Sequence, residues 1–157
     1  MVNIDDNIHL LDPTEINAKK FAFYGVESVI LNKDNKILLQ KRGDNWQRFP
    51  SYLTNFGGQV ETNETPLQAI IRELNEELGA KANPADILFL GAVTEGLTKH
   101  LELIYVYFWH DKTGTITGCY EGNVKYFTNV EEILAEQKVM DSARWSLQKC
   151  LRLGVLS

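Results

Sequence analysis

Between Gly58 and Ala80 the chain places Gly58, Glu64, Arg72, Glu73, Leu74, Glu76, Glu77, Gly79 and Ala80 at fixed offsets. Thr65, Pro66 and Gln68 read as an N-cap, a proline at the first helical position and the partner of a capping box, so a helix starts here. Leu67, Ile70, Ile71, Leu74 and Leu78 recur at three- and four-residue spacing and fall on one stripe, which predicts a buried face. Gly79 supplies the left-handed residue that ends the helix. Glu73, Glu76 and Glu77 project from an adjoining arc, which predicts three carboxylates on one face. Like charges at this spacing cost a few tenths of a kcal/mol per pair, and none of the three lies in the first turn, where the helix dipole favours an anion. Arg72 can pair with Glu76 or reach back to Glu64, but one guanidinium cannot neutralise four acids. A divalent cation can. The plain alternative is a solvated acidic helix face.

That alternative fails on specificity. The pattern G-x5-E-x7-R-E-U-x-E-E-x-G-U, with U an aliphatic residue, is complete from Gly58 to Ala80. Its seven invariant letters, at residue frequencies of about 5 to 7%, arise by chance on the order of once in a hundred million windows. The stretch resembles the signature of the Nudix hydrolases, with the small Ala80 at the last aliphatic position as a mild departure. With the strand pattern around it, the resemblance extends over residues 20 to 153. It implies an α/β class protein, an α/β/α sandwich around a central mixed β-sheet. It also implies a hydrolase that cleaves a diphosphate linkage with Mg2+, for which Mn2+ can substitute. Magnesium takes hard oxygen ligands and bridges protein carboxylates to phosphates.

By the same resemblance, Glu73, Glu76 and Glu77 hold the metal with the Gly57 carbonyl, and Glu121 adds a ligand from a later loop. Glu73 is the expected general base, with Glu95 and Glu121 as alternatives, since members differ in where the base comes from. Arg72 orients the glutamates, and Glu64 anchors its loop through Arg72. Arg42 matches a first-hairpin arginine that other members use on substrate. Trp46 and Tyr107, and beyond them Phe49 and Tyr126, are candidates to stack a nucleobase, although strand aromatics also serve as core.

The 157 residues, 44% hydrophobic, suffice for one core and not for two typical domains. The expected division is an irregular or partly helical arm over residues 1–20 and the hydrolase domain over 21–157. A net charge of −5 without a basic run argues against a nucleic-acid polymer as partner. A small nucleotide or diphosphate is the expected substrate, and the chain is expected as a monomer or a homodimer. The first residues, with Asp5 and Asp6, lack a signal-peptide core, and no stretch approaches the ~20 apolar residues of a membrane span. Cys119 and Cys150 lack C-x-x-C spacing and read as free thiols, which places the protein in the cytoplasm. His9, His100 and His110 have no ligand spacing.

Phe21 to Leu31 and Lys36 to Arg42 read as a hairpin, Leu53 to Phe56 as a short strand, and Ile87 to Glu95 as a further strand. Leu101 to Trp109 is apolar on both faces, with Leu103, Tyr105, Tyr107 and Trp109 on one and Ile104, Val106 and Phe108 on the other. That is the pattern of a sheet covered on both sides. Val124 to Phe127 adds a strand, Val130 to Gln137 a helix, and Asp141 to Leu153 a closing helix capped by Asp141 or Ser142.

The proline that marks ADP-ribose hydrolases of the family is missing near Thr94-Glu95-Gly96. The marks of dinucleoside polyphosphate and NADH hydrolases are missing too. Elimination leaves a mutator-type nucleoside triphosphatase giving a monophosphate and pyrophosphate. The alternatives are a nucleotide-sugar or ADP-ribose hydrolase, or a non-catalytic nucleotide sensor. An isopentenyl-diphosphate isomerase would need a cysteine where this chain has Phe56-Gly57-Gly58, and an EF-hand would need alternating loop ligands.

Overall fold

Phe23–Leu31 (β2) is the spine of the sheet, an aromatic and β-branched run that supplies nine residues of strand. In the computed structural model, which describes residues 7–17 and 20–157, β2 runs parallel to Glu102–His110 (β7) from Phe23 opposite Glu102 to Leu31 opposite His110. Its other edge is divided. Ile30 and Leu31 pair with Leu38 and Ile37 of the strand Ile37–Lys41 (β3). Gly25 to Ser28 pair instead with Phe56–Gln59 (β5), Glu27 lying opposite Gly57. The sheet therefore forks along β2, and the fork opens at the start of the motif.

Ile87–Glu95 (β6) pairs antiparallel with β7, and Ile8–Leu11 (β1) pairs antiparallel with the far end of β6. Leu53–Thr54 (β4) and Asn123–Phe127 (β8) both add to β3. The result is a mixed sheet whose path is β1-β6-β7-β2-β3-β4. A parallel pair at the centre of a sheet needs cover on both faces. On one face Val26, Ile30, Leu38 and Trp109 pack with Ile70, Leu74 and Leu78 of the helix Pro66–Leu78 (α1). On the other, Val29, Leu39, Val106 and Phe108 pack with Ile133 of Val130–Leu134 (α2) and with Trp145 and Leu147 of Asp141–Leu153 (α3). The α/β/α sandwich is thus observed.

Helix α1 follows the sequence closely: the Thr65–Gln68 capping box is present at both of its hydrogen bonds, and Gly79 ends the helix at φ 65°. Four local readings are corrected. Residues 8–11 of the supposed arm form β1, because their backbone completes the edge of β6; residues 1–6, 18 and 19 lie outside the described residues. The short strand is split into β4 and β5, because Asn55 turns its amide toward Glu27 and Ser146. Helix α2 stops at Leu134 rather than reaching Gln137. Helix α3 is N-capped by Met140 without a side-chain bond. Asp141 instead accepts from the Leu97 N–H at 3.0 Å, and the Ser142 N–H is donated to Glu95 at 2.7 Å.

The fork depends on the lack of a side chain at Gly57, where a Cβ would stand 2.0 Å from the Val26 carbonyl oxygen and 2.7 Å from the Glu27 Cα. Both atoms are backbone and cannot step aside. Gly57→Ala is expected to destabilise the fold by about 3 kcal/mol, the upper range of overpacking; a urea midpoint unchanged from the parent would refute this account of the fork.

Candidate active site

The motif delivers its acids to the fork unequally. Glu73 and Glu77 belong to the buried side of α1 together with Ala69, Ile70, Leu74 and Leu78. Glu76 faces out, with its side chain 57% accessible. The three carboxylates therefore do not share one face: the pair at i and i+4 turns toward β5, while the half-buried Ile71 gives up its place in the stripe. Gly58 makes the close approach possible, since a Cβ there would lie 2.4 Å from Glu73 Oε1.

Arg72 binds this corner together. Its Nε donates to Glu64 Oε2 at 2.7 Å and its Nη2 to Glu64 Oε1 at 2.9 Å, a forked contact. Nη2 also donates to the Gln59 carbonyl at 2.9 Å, and Nη1 to Glu73 Oε1 at 2.7 Å and to Glu76 Oε2 at 3.3 Å. The Arg72 hydrogen bonds hold the Glu64 carboxyl down to about 2. The orienting and anchoring geometry expected of Arg72 and Glu64 is present.

Glu77 has no such partner. It is 3% exposed, and its Oε2 is buried without a hydrogen bond. Desolvation pushes its carboxyl up to about 9, aided by the charges of Glu73 and Glu121 and opposed by the Gly57 N–H. Glu73 is raised too, by desolvation first, with Arg72 pulling the other way. Glu121, far away in sequence, is thereby brought to the same corner. Its turn is held by Gln40, whose Nε2 donates to the Glu121 carbonyl at 3.0 Å, and by Gly122 at φ 70°.

Among the described residues no Asp, Glu, His or Cys side chains are already drawn into a closed cation cage. Arg72 holds one oxygen of Glu73, and Glu77 stands apart with its orphaned oxygen. The donors are nonetheless all hard oxygens, and one of them is desolvated and unpaired. That set fits Mg2+ or Mn2+.

From Glu77 a cleft of about 500 Å³ crosses the fork to the α3 side of the sheet. There Glu27, on the β2 face of Val29, meets Glu95 at the end of β6; they are 7% and 2% exposed. Desolvation, then the Glu95 charge, pushes Glu27 up to about 8, and desolvation pushes Glu95 up to about 7. Glu95, a candidate base from sequence, thus belongs to the far end of the cleft, where it answers the first turn of α3. At the mouth, Arg42 lies 5.2 Å from the centre of the Trp46 ring and donates to the Arg48 carbonyl at 3.2 Å, while its Nε is buried without a partner. Arg42 and Trp46 both line the cleft. Tyr107 does not: its ring is packed in the α1-side core and against Phe89, because β7 alternation turns it away. Tyr126 is an exposed residue of β8 outside the cleft, and Phe49 stands beside Tyr52.

The NUDIX domain family matches residues 23–148 of the chain. The chain belongs to that family. Among curated Nudix relatives, an RNA pyrophosphohydrolase of Halorhodospira halophila is 43% identical over 75 residues, covering 46% of this chain and 36% of the relative. An RNA pyrophosphohydrolase of Hydrogenovibrio crunogenus is 43% identical over 79 residues, covering 46% of this chain and 42% of the relative. The chain thus spans well under half of those proteins. Of the solved structures, a MutT protein from Methanosarcina mazei superposes with a TM-score of 0.69 at 20% identity, over 88% of this chain and 99% of that one. A MutT/nudix family protein from Enterococcus faecalis gives 0.70 at 16% identity, over 90% and 65%. These likenesses establish the Nudix fold. Among the described residues no helix is long and apolar enough to cross a membrane.

Sequence reasoning missed Glu27, Asn55, Arg48 and Glu102. Glu27 carried a signal, as the one acid inside the apolar run of β2. Arg48 and Glu102 meet only in space, at 3.0 Å.

The raised carboxyls set the pH response. The folded state holds the Glu27 proton up to about pH 8, whereas the unfolded chain releases it near its ordinary 4.5. The stability linked to this group is therefore complete below the unfolded value and is lost as pH rises through the folded one. Glu27→Gln removes the titration and keeps an oxygen for Asn55. Calorimetry is expected to show the variant melting close to the parent near pH 5 and above it near pH 8, by on the order of a few kcal/mol. Parallel pH profiles for the two would contradict it.

Proposed function

We propose that this chain is a divalent-metal-dependent pyrophosphohydrolase acting on a nucleotide derivative, with nucleoside triphosphates, oxidised ones included, as its first substrate class. Glu77 carries the reading, as a buried carboxylate with an unpaired oxygen at the glycine fork, next to Glu73 and Glu121. Glu73, Glu77, Glu121 and the Gly57 carbonyl would hold Mg2+ or Mn2+, with the outward Glu76 joining from the helix surface. Bound there, the metal supplies charge neutralisation for a diphosphate and lowers the pKa of a coordinated water.

The chain's own groups do the rest. Arg72 keeps one oxygen of Glu73 and leaves the other for a proton, so Glu73 acts as general base on the attacking water. Water oxygen bonds to phosphorus, the bridging P–O bond breaks, and the bridging oxygen leaves with the departing phosphate or pyrophosphate. Gly57 and Gly58 leave room for phosphate near the acids. Arg42, with its unpaired Nε and Trp46 beside it, receives the rest of the substrate at the mouth. Glu95 is no longer a base in this scheme, since the charges acting on it come from Asp141 and Glu102 rather than from the motif.

A second reading rests on the relatives named RNA pyrophosphohydrolase, whose matching segment covers the motif region. Under it the diphosphate belongs to the 5′ end of an RNA, and the net charge of −5 would be offset locally by Arg42 and Arg48.

Glu77→Gln is expected to lower magnesium-dependent turnover by roughly 10²-fold or more while the far-UV spectrum stays that of the parent. Glu73→Gln should in addition remove the acidic limb of the pH–rate profile. The assay is a panel of nucleoside triphosphates, oxidised nucleotides, nucleotide sugars, ADP-ribose and 5′-triphosphorylated RNA with product identification. Wild-type rates in Glu77→Gln would sink the site assignment, and binding without turnover of any of them would leave a sensor.

A further inference from the structure

The α3-side end of the cleft has hydrogen-bonding capacity that the protein itself does not use. Asn55 is 3% exposed and lines the cleft between β4 and β5. Its Nδ2 donates to Glu27 Oε1 at 3.3 Å and to Ser146 Oγ at 3.0 Å. Ser146 Oγ spends its own hydrogen on the Ala143 carbonyl, so it can only accept here, which fixes the orientation of the amide. Asn55 Oδ1 consequently faces away from both acceptors, and it is buried without a partner. Leaving such an acceptor unpaired costs about 1 to 3 kcal/mol, which a protein seldom concedes outside a binding site.

Glu27 and Glu95 flank this amide. Glu95 Oε2 takes the Ser142 N–H, and Ser142 and Asn55 are the donors that reach the two acids. The end wall is therefore rich in acceptors and poor in donors. Arg42 presents the converse at the mouth, a buried Nε–H with no acceptor, beside the exposed ring of Trp46. A ligand that satisfies both must be flat, must offer adjacent N–H groups, and must carry an acceptor beside them. Guanine does this with N1–H, the 2-amino group and O6. Adenine offers a single amino group on its corresponding edge, and uracil a single N–H.

We propose that Glu27, Asn55 and Glu95 form a base-reading wall that accepts hydrogen bonds from the N1–H and 2-amino group of a guanine base, with Arg42 donating to its acceptor edge. The assignment rests on the reading of this cleft as a nucleotide site and narrows it to guanine nucleotides. Glu27, Asn55 and Glu95 are then specificity residues, separate from the hydrolytic corner at Glu77.

The test is metal-free binding, followed by NMR titration, of guanosine, inosine and adenosine 5′-monophosphates and of ribose 5-phosphate, run beside the hydrolysis panel. Wild-type protein should bind the guanosine compound at least about tenfold tighter than the adenosine one, with inosine, which lacks the 2-amino group, in between. Glu27→Gln and Glu95→Gln each keep side-chain volume and put a donor in place of an acceptor, and each should shrink the guanosine preference several-fold. Equal affinity for the three bases, or an unchanged preference in both variants, overturns the assignment. Ribose 5-phosphate binding as tightly as the guanosine compound also overturns it, because the wall would then be reading sugar hydroxyls. Hydrolysis of a diphosphate without base preference defeats this inference alone, whereas guanine preference without hydrolysis defeats the pyrophosphohydrolase reading alone.

Discussion

Everything at the fork hangs on one guanidinium. Arg72 joins the loop that carries Glu64, the end of β5 at Gln59 and the helix that carries Glu73, three segments that meet nowhere else through side-chain charge. The forked contact with Glu64 fixes the plane of the group, so its remaining N–H bonds are aimed rather than merely available. A lysine would bring the charge without the plane, and the loop, the strand and the helix would lose their common reference. The contact also settles which oxygen of Glu73 is occupied and which is left for chemistry.

The acids of the cleft divide into two electrostatic groups. Around Glu77 the interacting charges are Glu73, Glu121 and Glu76, whereas around Glu27 and Glu95 they are each other, Glu102 and Asp141. Both groups are raised by desolvation, but their partners differ in kind. The motif corner faces Arg72 and an orphaned oxygen suited to a cation, while the far wall faces backbone and amide donors from α3 and Asn55. Such a separation lets one cleft treat the charged and the heterocyclic parts of a ligand by different physics.

Most of α1 could be read from the sequence because its information is local: the capping box, the apolar spacing and Gly79 all act within a few residues. The two-sided apolarity of β7 likewise announced cover on both faces. What escaped depends on partners distant in sequence. Strand β1 is a strand only because β6 offers an edge, and its own residues carry no strong alternation. Asp141 looked like a cap but serves Leu97, and the true answer to the first turn of α3 comes from Glu95. In the site, Arg42 and Trp46 were legible from their hairpin neighbourhood, and Tyr107 was misplaced because an aromatic on a strand does not declare which face is core. Asn55 was invisible, since nothing local distinguishes it from a turn residue.

The parallel union of β2 with β7 joins Phe23 to Glu102 at one end and Leu31 to His110 at the other, so the motif lies inside the long loop that this union closes. Contacts of such sequence separation form late, because their entropy cost precedes any reward. During synthesis the signature helix must wait for a strand that emerges well after it. A fragment cut to the signature alone would then contain every ligand letter and lack the scaffold that brings them into register.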